Sequence, residues 1–417
     1  VKQLMSLESE ADVPGEATLP GTLPEALRAE LIAFRRDLHM HPELGNQEFR
    51  TTAAIKERLE RAGLTPRVLP GGTGVICDIG TTPGRPSAGA AGPGVLALRA
   101  DIDALPIPDV KSGCPYRSTV PDRAHACGHD VHTTVVLGTG LVLAALHERA
   151  PLPRPVRLIF QPAEEVLPGG AEDVIEAGAL DGVHRILAVH CDPRVDAGRI
   201  GLREGPITSA CDRLEIALDG PGGHTARPHL TTDLVTAAAR VAVDAPALLA
   251  RRVDSRGGLS LTWGRIESGH AANVIPQHAE LSGTVRCLDL DAWRQAPDLV
   301  VAAIDEIANL HRAKSEITYV RGVPPVVNEV TSVELLQTAM VARRGTDSVE
   351  STEQSLGGED FSWYLERVPG AMARLGVRPP GERAVRDLHQ GDFDVDEHAI
   401  TVGVELFTAA ALIDAGV

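Results

Sequence analysis

The 417 residues are 43% hydrophobic and 23% charged, the balance of a globular chain long enough for two or three cores. Lys and Arg number 40 against 57 Asp and Glu, a formal net charge of −17, which argues against nucleic acid and anionic membrane surfaces as partners. Six cysteines are scattered without regular spacing. They are too sparse to staple a chain of this size, so a reducing compartment, the cytoplasm by default, is expected.

Residues 1–22 are acidic, polar and punctuated by Pro and Gly; they read as a disordered lead-in without the pattern of a secretory leader. No apolar run is read as reaching membrane-spanning length. Residues 24–39 place Leu27, Leu31, Phe34 and Leu38 on one helical face, and a second helix is expected over about 51–62. Strands follow at 74–80 and 94–103, joined by the Gly/Pro/Ala/Ser stretch 81–93, which reads as a long mobile hairpin loop. A buried helix at 131–147, a strand at 155–161, a short helix at 171–178 and a strand at 185–190 continue the chain. This alternation predicts an α/β domain with a mostly parallel sheet flanked by helices.

Near residue 207 the pattern changes to strand, helix (232–252), two strands (259–266 and 278–287), helix (291–313) and strand (315–320). This is the order of a βαββαβ, ferredoxin-like unit inserted into the first domain. The expected division is a lead-in at 1–22, a first domain built from 23–206 and 323–417, and an insertion at 207–322.

The segment His-Ala-Cys-Gly-His-Asp-Val-His at 125–132 is the densest cluster of metal donors in the chain. Cys127 and His129 are one residue apart, and an extended backbone turns both side chains to one face. In open α/β sheets ligands gather beyond the carboxyl ends of the strands. Asp101 and Asp103, the run Gln161-Pro-Ala-Glu164-Glu165, and His190 each follow a strand-like run. Glu164 and Glu165, as neighbours on an extended segment, are expected to face opposite ways, one toward metal and one toward substrate. His389 offers a further donor from far along the chain.

These residues belong to a larger set: HMHPELGNQEFRT (39–51), RADIDALPI (99–107), HACGHDVHT (125–133), FQPAEE (160–165), GGHTARP (222–228), NVIPQHAELSGTVR (273–286), GGEDFSWY (357–364) and LHQGDFDVDEHAI (388–400). In order and spacing the set resembles the metal-dependent amidohydrolases that include hippurate hydrolase, N-acyl-amino-acid amidohydrolases and auxin-conjugate hydrolases, relatives of aminoacylase and glutamate carboxypeptidase. The resemblance implies that Cys127, His129, Glu165, His190 and His389 hold two divalent metal ions, with Cys127 bridging and Glu164 as general base. It makes Asp103 a residue that orients a metal histidine. It also implies that the inserted domain is a lid and dimerisation domain, supplying His224, from its own chain or across a dimer, to the oxyanion, and placing Asn273 and Arg286 near the substrate carboxylate and developing oxyanion.

The expected reaction is hydrolysis of the amide of an N-acyl amino acid, with a dipeptidase or other deacylase as the alternative. Thiolate, imidazole and carboxylate donors together accommodate zinc, manganese, cobalt or nickel. A Cys127 nucleophile with a histidine base, and a metal-binding scaffold without activity, are the competing readings. After FQPAEE the chain reads VLPGGA, and Cys191-Asp192-Pro193 follows His190, two departures from relatives that bear on the acyl group.

Overall fold

The computed structural model describes residues 22–80 and 94–417. The lead-in (but for residue 22) and the 81–93 loop therefore lie outside the described residues. Two compact units divide the chain, the first built from residues within Val1–Gly205, Val327–Glu353 and Trp363–Val417, the second from Pro206–Val326 and Gln354–Ser362. The return of Gln354–Ser362 to the second unit corrects the expectation that everything after 323 rejoins the first. Two hydrogen bonds tie the segment there: Ser355 N–H donates to Ile207 O at 2.9 Å, and the Ser209 side-chain Oγ donates to Leu356 O at 2.7 Å.

In the first unit, α1 (Glu25–Met40) and α2 (Phe49–Arg61) precede β1 (Arg67–Val68), β2 (Val75–Ile79) and β3 (Val95–Asp101). Next come α3 (His129–Arg149), β4 (Val156–Gln161), α4 (Ala171–Glu176), β5 (Val183–Asp196) and β6 (Ile200–Leu202). Strands Val349–Ser351 and Gly370–Arg378 complete an eight-stranded sheet, ordered β1, β2, β4, β3, β5, Gly370–Arg378, β6, Val349–Ser351. The four middle strands run parallel, while β1, β2 and β6 pair antiparallel with their inner neighbours.

β2 and β3 do not form the expected hairpin, because β4 inserts between them, antiparallel to one and parallel to the other. The burial of every residue of β3 and β4 places both in the middle of the sheet, where each needs a partner on both edges. β5 also runs on to Asp196 rather than ending at His190, so His190 sits inside a paired strand opposite Arg374.

Helix α3 is long and apolar enough, by length and composition, to cross a membrane, which corrects the reading that no such run exists. Of its most apolar window, 89% is buried inside the protein, so it is the core helix of the first unit. Gly138 allows the close approach: a Cβ there would lie 2.7 Å from both Leu31 of α1 and Val404 of the closing helix His398–Asp414.

In the second unit the order is strand Ala210–Asp219, helix Leu234–Arg252, strands Ser260–Ser268 and His278–Cys287, helix Leu290–Leu310 and strand Lys314–Val323. The four strands pair antiparallel, with Ala210–Asp219 between His278–Cys287 and Lys314–Val323, and Ser260–Ser268 at the edge. Alternating burial along Ala210–Asp219 and His278–Cys287 gives the sheet one apolar face, and Val241, Ala245, Val300 and Ile304 of the helices close over it. A two-stranded ribbon, Gly223–His224 with Val274–Ile275, is an addition that sequence periodicity did not predict.

Candidate metal centre

The donors of the first unit meet around the carboxyl ends of β3 and β4 and the interior of β5. Cys127 and His129 do not share an extended backbone: Gly128 is left-handed (φ 85°) and His129 is the first residue of α3. Only a residue without a Cβ suits this turn, since a methyl on Gly128 would fall 2.6 Å from Cys191 Sγ. The turn still brings the donors together, by a different route from the one periodicity implied.

Cys127 Sγ lies 3.6 Å from His190 Nε2. His190 Nδ1 donates to Cys191 O at 2.8 Å, which fixes the tautomer and leaves the Nε2 lone pair on the Cys127 side. Burial, with Arg374 nearby, pushes the His190 pKa well below its ordinary value and keeps the ring neutral, the form that ligates. Burial and the carboxylates of Glu165, Glu164 and Asp101 push the Cys127 thiol up. An uncharged buried thiol among acids is a poor nucleophile, which weighs against the Cys127 nucleophile reading.

His129 is held from one side and open on the other. Its Nδ1 lies 3.2 Å from Asp103 Oδ1, while its buried Nε2 has no hydrogen-bond partner among the described residues. Around that nitrogen stand Glu164 Oε2 at 3.9 Å, Glu165 Oε1 at 3.8 Å and Asp101 Oδ2 at 3.8 Å. Burial opposes charge on this ring, yet Asp101, Asp103 and Glu165 outweigh it and raise its pKa to about 10. The same field favours a cation at Nε2, and an orphaned buried nitrogen facing three carboxylates fits a metal.

Glu164 and Glu165 lie in a turn after Ala163 (φ 59°), so the extended-segment argument that separated them fails, and both approach His129. Asp103 Oδ2 anchors this turn by accepting the Glu165 N–H at 2.9 Å. His389 also has a left-handed backbone (φ 61°), its N–H donating to Ala126 O at 2.8 Å. Its Nε2 reaches Glu165 Oε1 at 3.3 Å, and the Glu165 hydrogen bond raises its pKa. Among the donor sets of metal-binding proximity are Cys127 with His129 and His190, Cys127 with Glu165 and His389, and His129 with Glu164 and Glu165.

Asp101 and His132 also stand close to His129 but are already engaged. His132 Nδ1 donates to Asp101 Oδ1 at 2.6 Å, its Nε2 accepts the Cys191 N–H at 2.8 Å, and Arg99 holds the other Asp101 oxygen at 2.6 Å. Cys191 is buried with its Sγ against Gly128 O, so it backs the turn.

His224, Asn273 and Arg286 belong to the second unit. His224 is exposed, its Nδ1 accepting the Ala226 N–H at 3.0 Å, and Asn273 O accepts the Thr225 N–H at 3.4 Å on the same ribbon. Arg286 sits on the four-stranded sheet and donates to Leu356 O. Sequence reasoning missed Arg35, whose spacing between Leu31 and Leu38 puts it on the apolar stripe of α1, and it missed Glu48, whose Oε1 accepts the Ala163 N–H at 2.8 Å.

The model of Peptidase family M20/M25/M40 matches residues 97–413. N-acetylcysteine deacetylase of Bacillus subtilis is 38% identical over 390 residues, covering 93% of this chain and 98% of that protein. A Rhodococcus jostii protein, provisionally named glutamate–cysteine ligase 2-3, is 46% identical over 385 residues, and the match spans 92% of this chain but only 47% of that longer protein. Among solved structures, a Bacillus subtilis dinuclear metal-binding peptidase of the M20 family superposes with a TM-score of 0.80 at 35% identity, covering 94% of this chain and 99% of that one. With these similarities added to the donor geometry, the chain belongs to Peptidase family M20/M25/M40.

Proposed function

We propose that this protein is a metal-dependent amidohydrolase that cleaves N-acyl amino acids. The observation that carries the reading is the convergence of Cys127, His129, Glu165, His190 and His389 with a further carboxylate, Glu164, beside His129. These five residues would hold two divalent ions, drawn from zinc, manganese, cobalt or nickel by their mixed donors. When bound, such ions would supply a water of lowered pKa, towards about 7, and polarise the substrate carbonyl.

Glu164 accepts the proton of the attacking water and delivers it to the departing nitrogen, so the amide C–N bond breaks to a carboxylic acid and an amine. Asp103 keeps the His129 ring turned and holds the Glu165 backbone. His224 stabilises the oxyanion, and Asn273 with Arg286 receives the amino-acid carboxylate, which a guanidinium fork suits. A scaffold without activity needs no base in the position of Glu164, which favours an enzyme.

The second unit serves as a ferredoxin-like lid and dimerisation domain in a cytoplasmic homodimer. Its antiparallel strand order supports the first part of that reading. The deacetylase relative supports a small N-acyl amino acid as substrate. The test is hydrolysis by the metal-loaded full chain of a panel of N-acyl amino acids against dipeptides. Release of amino acid from the acyl compounds is expected; turnover of dipeptides alone would replace this reading with a dipeptidase.

A further inference from the structure

Arg35 is a buried cation in a position that helix packing would give to an aliphatic residue. It has no exposed surface and lies on the face of α1 shared by Leu31 and Leu38. Taking a guanidinium out of water costs several kcal/mol, so packing alone does not account for it. Its Nε stands 2.7 Å from Asp130 Oδ2, its Nη2 3.4 Å from Asp394 Oδ1 and its Nη1 3.5 Å from Glu397 Oε1. Asp130 immediately follows His129, and Asp394 lies in the segment that follows His389. One side chain thus touches both donor-bearing stretches of the chain.

His39, one turn further along α1, extends the connection. Its Nδ1 lies 2.7 Å from the same Asp130 oxygen, and its Nε2 lies 3.5 Å from Asp109 Oδ2. Asp109 in turn holds Lys111 Nζ at 3.1 Å, and that ammonium donates to Phe393 O at 3.1 Å. Tyr116 closes the ring by donating to Asp394 Oδ2 at 3.0 Å, with its aromatic face 5.0 Å from the Arg35 guanidinium. Asp130, Asp394 and Glu397 stand around the guanidinium and Asp109 faces both His39 and Lys111, so acidic and basic groups alternate through this network.

We propose that Arg35 and His39 are positioning residues of the metal centre, holding the Cys127–His129 stretch and the His389 stretch in fixed relation through Asp130, Asp109 and Asp394. The inference rests on the proposed ligand roles of Cys127, His129 and His389. It assigns a role in metal affinity to two residues of the first helix, neither of which is a ligand.

The test uses the full chain loaded with cobalt(II), read by the thiolate-to-cobalt absorption of Cys127 and by competition with a chelator. His39→Leu is expected to weaken cobalt binding by about 10- to 100-fold and to shift the absorption band, the range found when groups orienting metal ligands are lost. His39→Gln retains a donor for Asp130 and should restore most of the affinity. Arg35→Lys keeps the charge but not the three-way reach, and should lose at least about fivefold. Melting of the metal-free forms reports folding separately, and if His39→Leu does not fold, His39→Gln and Arg35→Lys still decide. Folded variants with the wild-type band and affinity would overturn the positioning role alone. A wild-type chain that shows no thiolate band would overturn the ligand reading beneath it.

Discussion

Asp103 and His129 form the joint on which the candidate centre turns. One carboxylate oxygen lies 3.2 Å from His129 Nδ1, and the other accepts the backbone N–H of Glu165 at 2.9 Å. A single buried side chain thereby orients a donor ring and fixes the turn carrying two further carboxylates. Asp103→Ala removes both bonds. Metal affinity is expected to fall by about 10- to 100-fold, measured by chelator competition, and an unchanged affinity would refute the joint.

Glu164 is the residue whose loss should separate binding from chemistry. Glu164→Gln keeps the shape but removes the base, so kcat is expected to drop by about 10²- to 10⁴-fold. Metal content, measured by elemental analysis of the same sample, should stay at the wild-type ratio. Full turnover in this variant would exclude Glu164 as the base.

Gly128 makes a sharp structural prediction because its backbone is left-handed and its surroundings leave no room. Gly128→Ala faces a conformational cost of roughly 1–2 kcal/mol and a contact 2.6 Å from Cys191 Sγ. A loss on the order of 2–4 kcal/mol in urea unfolding is expected when the two costs combine. Metal binding should weaken in parallel, because Cys127 and His129 flank the turn. Wild-type stability would mean that the turn relaxes freely.

Glu48 gives the protein a pH dependence away from the donors themselves. Burial lifts its pKa to about 7, even though its own backbone and the Ala163 N–H favour the ionised form. Below the unfolded value near 4.5 both states hold the proton and Glu48 contributes no penalty. As pH rises from there to about 7, the unfolded chain ionises first, so stability falls and then levels off. Glu48→Gln should therefore be more stable than wild type at pH 8 by on the order of 1–3 kcal/mol, with the gap closing by pH 5. Denaturation curves at the two pH values check this; a gap that does not change with pH would show that Glu48 does not titrate in this range.

Much of the framework was legible in the chain alone. Periodicity placed the main helices and longer strands between residues 24 and 320, because apolar spacing reports which face of an element is buried, but it placed no individual element after residue 320, where Val330–Arg344, Gly370–Arg378 and His398–Asp414 lie. Where the fold needed a partner from far away in sequence, periodicity carried no signal: β4 enters between β2 and β3, and residues 354–362 return to the second unit through bonds to Ile207 and Ser209. The candidate donors Cys127, His129, Glu165, His190 and His389 were identifiable as residue types at spacings. Their backbone geometry was not, since left-handed residues Gly128 and Ala163 replace the extended segments expected at Cys127–His129 and Glu164–Glu165, and His389 is also left-handed.

Arg35 shows the division most clearly. Its place on the apolar stripe of α1 was written in the spacing of Leu31 and Leu38. Its burial became possible only when folding brought Asp130, Asp394 and Glu397 around one guanidinium. Residue types and their periodicity, local properties, were determined by the sequence; which charges meet in the interior was decided by the tertiary structure, because a buried ion is stable only where distant segments supply its partners.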